Sequence, residues 1–231
     1  MIARREAVGR VMGTPAYRRW RQRLNHTLVR ARKGSFDAAT WLRPPEPDRH
    51  DPYRVLSIDP AVVSHLLPER LPDRVAGRLL GGEWDADVVP LPATALHRGL
   101  RQRFHDRLDW TATDLHPSRY TRVCGNEPPQ YENYSEAQFL RRAAALDELY
   151  DQLARHGYRD HTARSEPVGT EMSVAITRGG LYARHSGGLH RIIMAQLLGL
   201  SRAPVRVMVV HAAHAGGPHD PFRAQRLTTP E

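Results

Sequence analysis

The stretch Gly187-Gly188-Leu189-His190-Arg191 decides how this chain is read, because of what flanks it. Before it runs a hairpin-like segment, Met172-Ser173-Val174-Ala175-Ile176-Thr177-Arg178-Gly179-Gly180-Leu181-Tyr182-Ala183-Arg184. After it comes an amphipathic run, Ile192-Ile193-Met194-Ala195-Gln196-Leu197-Leu198-Gly199. Strand pattern, glycine pair and helical pattern in that order put two glycines, an imidazole and a guanidinium at a helix N-terminus. The first N–H groups of a helix lack intrahelical partners, and the positive end of the dipole strengthens their attraction for an anion. Glycine lets the backbone approach a ligand, while His190 and Arg191 would add charge-assisted donors suited to phosphate. Gly187, Gly188, Leu189, His190 and Arg191 are therefore expected to form a phosphate-binding site. The competing reading is a plain turn beside a solvated His-Arg pair. The continuation from Leu200 to His211 reads as a loop and then a strand, which favours an ordered motif.

A chain of 231 residues can bury one sizeable core, or one core with appendages. Its hydrophobic content of 40% fits a soluble globular protein. No apolar run approaches the roughly 18 residues of a membrane span. The start, Met1-Ile2-Ala3-Arg4-Arg5-Glu6, lacks the apolar core of a secretory signal, so a cytoplasmic location is expected. One cysteine, Cys124, leaves no intramolecular disulfide and no Cys-based zinc site to expect. The formal charge of +9 suggests an anionic partner: nucleic acid, a membrane face or phosphorylated metabolites. Lys33 is the only lysine among 34 basic residues, so the charge reflects GC-rich codon usage as much as selection for a basic surface.

Residues 1–48 read as a basic helical segment and a proline-rich connector. Thr14-Pro15 is a good helix start, and Tyr17, Trp20, Leu24, Leu28 and Ala31 recur at helical spacing among arginines. Such a helix could lie on nucleic acid or a membrane surface, or dock on the core with its arginines solvated. Tyr53 to Ile58 alternates like a strand, Ala61 to Leu67 suggests a short helix, and Gly81-Gly82-Glu83-Trp84-Asp85 suggests a tight turn. A helix is expected from Ala93 to Leu108, then loop through Tyr134. Ser135, with Gln138 completing a capping box, should start a helix that stops at His156-Gly157. His161 to Gly169 reads as loop. Residues 212–231, rich in Ala, Gly, His and Pro, read as a disordered tail.

The remaining chemistry is sparse. No His-x-x-x-His pair with a nearby carboxylate, nucleophile elbow or Walker-type loop is present. Cys124, in a polar loop, reads as an ordinary thiol. Glu83, Asp85 and Glu171 are the acids that could serve as a base or a magnesium ligand; each could equally be a cap or a surface charge.

The hairpin, Gly187-Gly188-Leu189-His190-Arg191, the helix ending Leu197-Leu198-Gly199-Leu200 and the strand Pro204-Val205-Arg206-Val207 resemble the ParB N-terminal/sulfiredoxin superfamily. Sulfiredoxins carry a Gly-Gly-Cys-His-Arg motif that binds ATP phosphates, and ParB-like domains a related Gly-x-x-Arg signature. The run Leu146 to Tyr158 is similar to the helix and turn preceding the ParB-type strand, so the likeness covers roughly residues 138–211. Asp51-Pro52-Tyr53, Ile58-Asp59-Pro60 and Gly81 to Asp85 resemble segments of uncharacterised ParB-like proteins. Two departures matter: Leu189 stands where sulfiredoxins have their catalytic cysteine, and Gly187 where many ParB-like members have Asp. Sulfinic-acid reduction by that mechanism is therefore not expected. Neither is spreading on DNA, since the chain after His211 is too short for a helix-turn-helix domain.

The resemblance implies a compact α+β domain over residues 49–211, with a small mixed sheet flanked by helices. It implies a nucleotide, ATP or CTP with magnesium, bound through residues 187–191. Free-serine kinases of the superfamily show that the fold can host phosphoryl transfer. Hydrolysis, or transfer to a small acceptor, would call on Glu83, Asp85 or Glu171. The competing functional class is a DNA-binding or regulatory module without turnover, and a third is a nucleotide-bound accessory protein.

Overall fold

The computed structural model describes residues 49–158, 172–217 and 220–222, together with Ala31. Apart from Ala31, the arginine-rich segment lies outside the described residues, as do the 161–169 loop and Glu171. The described chain is a mixed α+β fold of seven strands in one sheet and three helices. The strands are β1 (Val55–Ile58), β2 (Val63–Leu66), β3 (Arg78–Leu80), β4 (Val89–Pro90), β5 (Met172–Ile176), β6 (Tyr182–Ser186) and β7 (Ala203–His211). The helices are α1 (Ala95–Phe104), α2 (Glu136–His156) and α3 (Leu189–Leu197).

Strand β7 organises the sheet, whose order is β1-β7-β5-β6-β2-β4. Rich in β-branched valine, it is long enough to carry two partners on one edge. β1 pairs antiparallel with its first half (Val55↔Arg206, Ile58↔Ala203), and β3 pairs parallel with its end (Arg78↔Val209, Leu80↔His211). β5 lies parallel on the other edge and forms an antiparallel hairpin with β6. Alternation then sorts the side chains. Val174, Ile176, Val207 and Val210 join the helices in the main core, while Ala175, Ala183 and Val209 meet Leu67 in a second layer flanked by Leu71, Val75 and Trp84.

Helix α2 starts as expected, with the reciprocal Ser135–Gln138 capping box, and ends at Gly157 with φ 61°. Helix α1 is shorter than its periodicity suggests: Thr94 caps it by accepting the His97 N–H at 3.1 Å, and it ends at Phe104. Helix α3 buries Leu189, Ile192, Ile193, Met194 and Ala195 and packs against α1 and α2. At about 1.5–3 kcal/mol per large apolar side chain, that burial fixes where its N-terminus sits.

Two expectations give way. Residues 61–67 are not helical beyond a single turn, Pro60–Val62, capped by Asp59. Val63 to Leu66 instead pair with both β6 and β4, and sheet pairing overrides a weak local helical pattern. The chain after His211 does not trail away at once. Phe222 is 1% exposed and stacks on His50 at 4.4 Å, and Asp220 accepts the Gly216 and Phe222 N–H groups. Among the described residues no helix is long and apolar enough to cross a membrane.

Candidate phosphate site at the start of helix α3

β6 ends at Ser186, and the chain turns through Gly187 and Gly188 into α3 with φ of 66° and 56°. Both lie in the left-handed region that disfavours side chains. At Gly188 a second constraint applies, since a Cβ there would lie 2.8 Å from Met172 Cβ. The turn is held from inside by Arg184, whose Nε donates to Gly187 O at 3.2 Å. In a trans peptide the C=O and the next N–H point in opposite directions, so anchoring Gly187 O inward turns the Gly188 N–H outward. The first helical hydrogen bond is Ile192 N–H to Gly188 O. The N–H groups of Leu189, His190 and Arg191 precede it, where an anion is favoured.

The charges around this end are one-sided. Arg184 is buried, and its acceptors are neutral: Gly187 O, Asn126 O at 2.9 Å and Asn126 Oδ1 at 2.8 Å. Burial pushes its guanidinium down to about 10. Arg142, from α2, directs Nη2 to His190 Nε2 at 3.3 Å, and its Nε is buried with no hydrogen-bond partner. Among the described residues neither Arg142 nor Arg184 forms an ion pair with a carboxylate. Arg191 adds a third guanidinium, close enough to act on both His190 and Tyr158.

His190 plays a different part from the charged donor expected of it. Burial, reinforced by the charges of Arg142, Arg184 and Arg191, holds its imidazole well below the ordinary range, so it is neutral. Its Nε2 accepts the Tyr131 hydroxyl at 2.8 Å as well as the Arg142 contact, which leaves the ring proton on Nδ1. Burial in turn pushes Tyr131 up to about 12 and keeps the phenol a donor. His190 therefore braces the helix start against Tyr131 and Arg142. Leu189 is 3% exposed and belongs to the core. From residues 187–191, the groups that suit an anion are therefore the backbone N–H groups at the helix start.

The expected acids are elsewhere. Glu83 and Asp85 bind Arg178, just past the far end of β5, about 13 Å of strand from Met172. Asp85, whose side chain is 1% exposed, accepts the Arg178 backbone N–H at 2.7 Å, Nε at 3.0 Å and Nη2 at 2.7 Å. Burial raises its carboxyl, but the Arg178 hydrogen bonds outweigh this and hold it below the usual range. Glu83 takes the outer edge of the same guanidinium at 2.8 Å. Both acids thus pin the hairpin turn to the Gly82 loop and do not face the glycine pair. Glu171 lies outside the described residues but adjoins Met172 in sequence.

Sequence reasoning passed over Arg142, Arg184, Tyr131 and Asn126. Arg142 did carry a signal: it follows Phe139 by three residues and precedes Leu146 by four, so it sits on the apolar stripe of α2. Cys124, partly buried, has its thiol pushed up by burial and stays protonated. A groove of about 430 Å³ between α1 and α2 is lined by Arg103, Phe104, Arg107, Asp147, Tyr150 and Asp151. It is satisfied from within: Arg103 pairs with Asp147 at 3.0 Å, and Phe104 stacks on Tyr150 at 3.9 Å. Among the described residues no three His, Cys, Asp or Glu side chains converge as metal ligands. No family model, curated protein or solved structure matches this chain.

Proposed function

We propose that the start of α3 binds the phosphates of a nucleotide, ATP or CTP accompanied by magnesium, in a fold organised like the ParB N-terminal/sulfiredoxin-like domains. One observation carries the reading. Arg142, Arg184 and Arg191 gather around one imidazole at a helix N-terminus, and Arg142 and Arg184 meet no carboxylate among the described residues. All three guanidiniums act on that imidazole, and a phosphate would answer their positive field while accepting the outward N–H groups. Magnesium at such sites is carried largely by the phosphates with one or two carboxylates. Glu83 and Asp85 are committed to Arg178, so Glu171 is the acid whose place in the sequence suits that role.

Thermal unfolding with ATP, CTP, GTP or ADP plus magnesium tests this. At a hundred times its dissociation constant a ligand adds about 2.7 kcal/mol, an easily measured rise in Tm. The rise is expected for wild type and should shrink for Arg191→Ala. No rise with any nucleotide overturns the proposal. The net charge of +9 favours a second reading, in which the protein binds nucleic acid without turnover. Steeply salt-dependent DNA binding would support it, since each phosphate contact releases counterions.

A further inference from the structure

The two residues before the glycine pair belong to a hydrogen-bonded chain that phosphate binding does not use. Ser173 and Ser186 are directly paired across β5 and β6, and their Oγ atoms are 2.6 Å apart. Ser173 Oγ also lies 3.3 Å from His185 Nδ1, and His185 Nε2 lies 3.1 Å from Leu71 O. A backbone carbonyl can only accept, so His185 carries its proton on Nε2 and Nδ1 is the acceptor. Ser173 O–H has two acceptors, Nδ1 and Ser186 O at 3.1 Å, and Ser186 Oγ is itself 3.2 Å from Nδ1. In the arrangement that carries a proton inward, Ser186 O–H donates to Ser173 Oγ, Ser173 O–H donates to Nδ1, and Nε2–H donates to Leu71 O. Ser173 and His185 are each 1% exposed, whereas Ser186 is only partly buried. With its hydrogen drawn inward, the Ser186 oxygen keeps its lone pairs for whatever lies outside. Only Gly187 separates it from Gly188, two residue steps that span about 7 Å at most.

Building on the phosphate reading, we propose that Ser186 is a phosphoryl acceptor, with Ser173 and His185 as its proton relay. Ser186 Oγ attacks the terminal phosphorus of the bound nucleoside triphosphate. The Oγ–P bond forms, the bond from that phosphorus to the bridging oxygen breaks, and its electron pair leaves with the nucleoside diphosphate. The Ser186 proton passes to Ser173 Oγ as the Ser173 proton passes to His185 Nδ1. Burial holds the His185 imidazole down at about 4, so the proton is shed to solvent after transfer and the acceptor is restored. The product is a phosphoserine at the mouth of the glycine turn. Arg142, Arg184 and Arg191 lie around the same helix start and would stabilise the charge that spreads over the transferring oxygens.

The full chain is incubated with magnesium and ATP or CTP radiolabelled in the terminal phosphate. Acid-stable label is expected on the peptide that contains Ser186. Ser186→Ala should lose it, Ser173→Ala should slow it at least tenfold, and Ser57→Ala, on the exposed face of β1, should keep it. Ser186→Thr, which retains the hydroxyl, should still be labelled, and peptide mapping of the wild type decides the matter if Ser186→Ala does not fold. Binding is measured separately, as the Tm rise with a non-hydrolysable triphosphate. A Tm rise without label overturns the acceptor role and leaves the phosphate site standing. Acid-labile label, or label that maps away from Ser186, overturns it as well. No Tm rise removes the phosphate site and the acceptor role together.

Discussion

Arg178 sits in the turn of the β5–β6 hairpin and Arg184 in β6, two residues before that strand ends, and they meet opposite surroundings. Arg178 reaches Asp85 and Glu83 at 2.7 and 2.8 Å, its charge fully answered by acids brought from the 81–85 turn. Among the described residues Arg184 reaches only neutral oxygens, and Arg142, which also acts on His190, has a buried Nε with no hydrogen-bond partner. A paired arginine is a complete structural device. Arg142 and Arg184, which meet no carboxylate among the described residues, raise the local potential at a helix N-terminus, and the proposed anion would offset that electrostatic cost. The hairpin thus has a closed end and an open end, and the proposed phosphate site lies at the open one.

The largest test of this contrast is Gly188→Val. A β-branched side chain at φ 56°, with its Cβ 2.8 Å from Met172 Cβ, should cost about 4 kcal/mol in urea unfolding. A loss under 1 kcal/mol would mean the turn relaxes easily and is not a rigid platform.

A second test separates the two ends by pH. His185 has a folded pKa of about 4 against roughly 6.5 in the unfolded chain, so as pH falls the unfolded state takes up the proton first. The stability this group confers is complete above pH 6.5 and should drain away between pH 6.5 and 4, by roughly 3 kcal/mol. His190, also lowered, acts in the same direction. Asp85 is lowered too, but as an acid its contribution holds above its unfolded pKa of about 3.9 and is lost only below that. Urea midpoints against pH should therefore fall in two stages, and His185→Gln should flatten the first. An unchanged profile in that variant would remove His185 as its source.

Asp85→Ala comes next, at about 2 kcal/mol for lost hydrogen bonds to a buried charge. It should leave the nucleotide-induced rise in Tm intact; a lost response would tie the closed end to the site. The smallest change in stability belongs to Arg142→Met. Removing a partly buried guanidinium that meets no carboxylate among the described residues should leave the unliganded protein within about 1 kcal/mol of wild type. Its ligand response should nevertheless fall, and a strong response in this variant would show that Arg142 does not serve the site.

Periodicity and local chemistry made much of the frame legible. The Ser135–Gln138 box, the stop at Gly157, the hairpin and the helix after Gly188 all rest on interactions within a few residues. The helix expected at 61–67 is the counterexample, because what decides β2 is pairing with Tyr182 to Arg184, over a hundred residues away. The same distance hid the partners of the site. Nothing near Glu83 or Asp85 in sequence announces that Arg178 will absorb them, and nothing near His190 announces that Tyr131 and Arg142 will enclose it.

By itself the sequence determined the local geometry of residues 187–191: two glycines able to take a positive φ, followed by a run able to form a helix and bury one face. The tertiary structure alone decided which groups carry charge there. Burial and neighbouring guanidiniums strip the proton from His190, Arg178 consumes the acids, and Arg142 and Arg184 come from other elements to supply the positive field. The division has a physical cause. Backbone conformation responds to the nearest few residues, whereas ionisation and electrostatic potential respond to everything folded within reach.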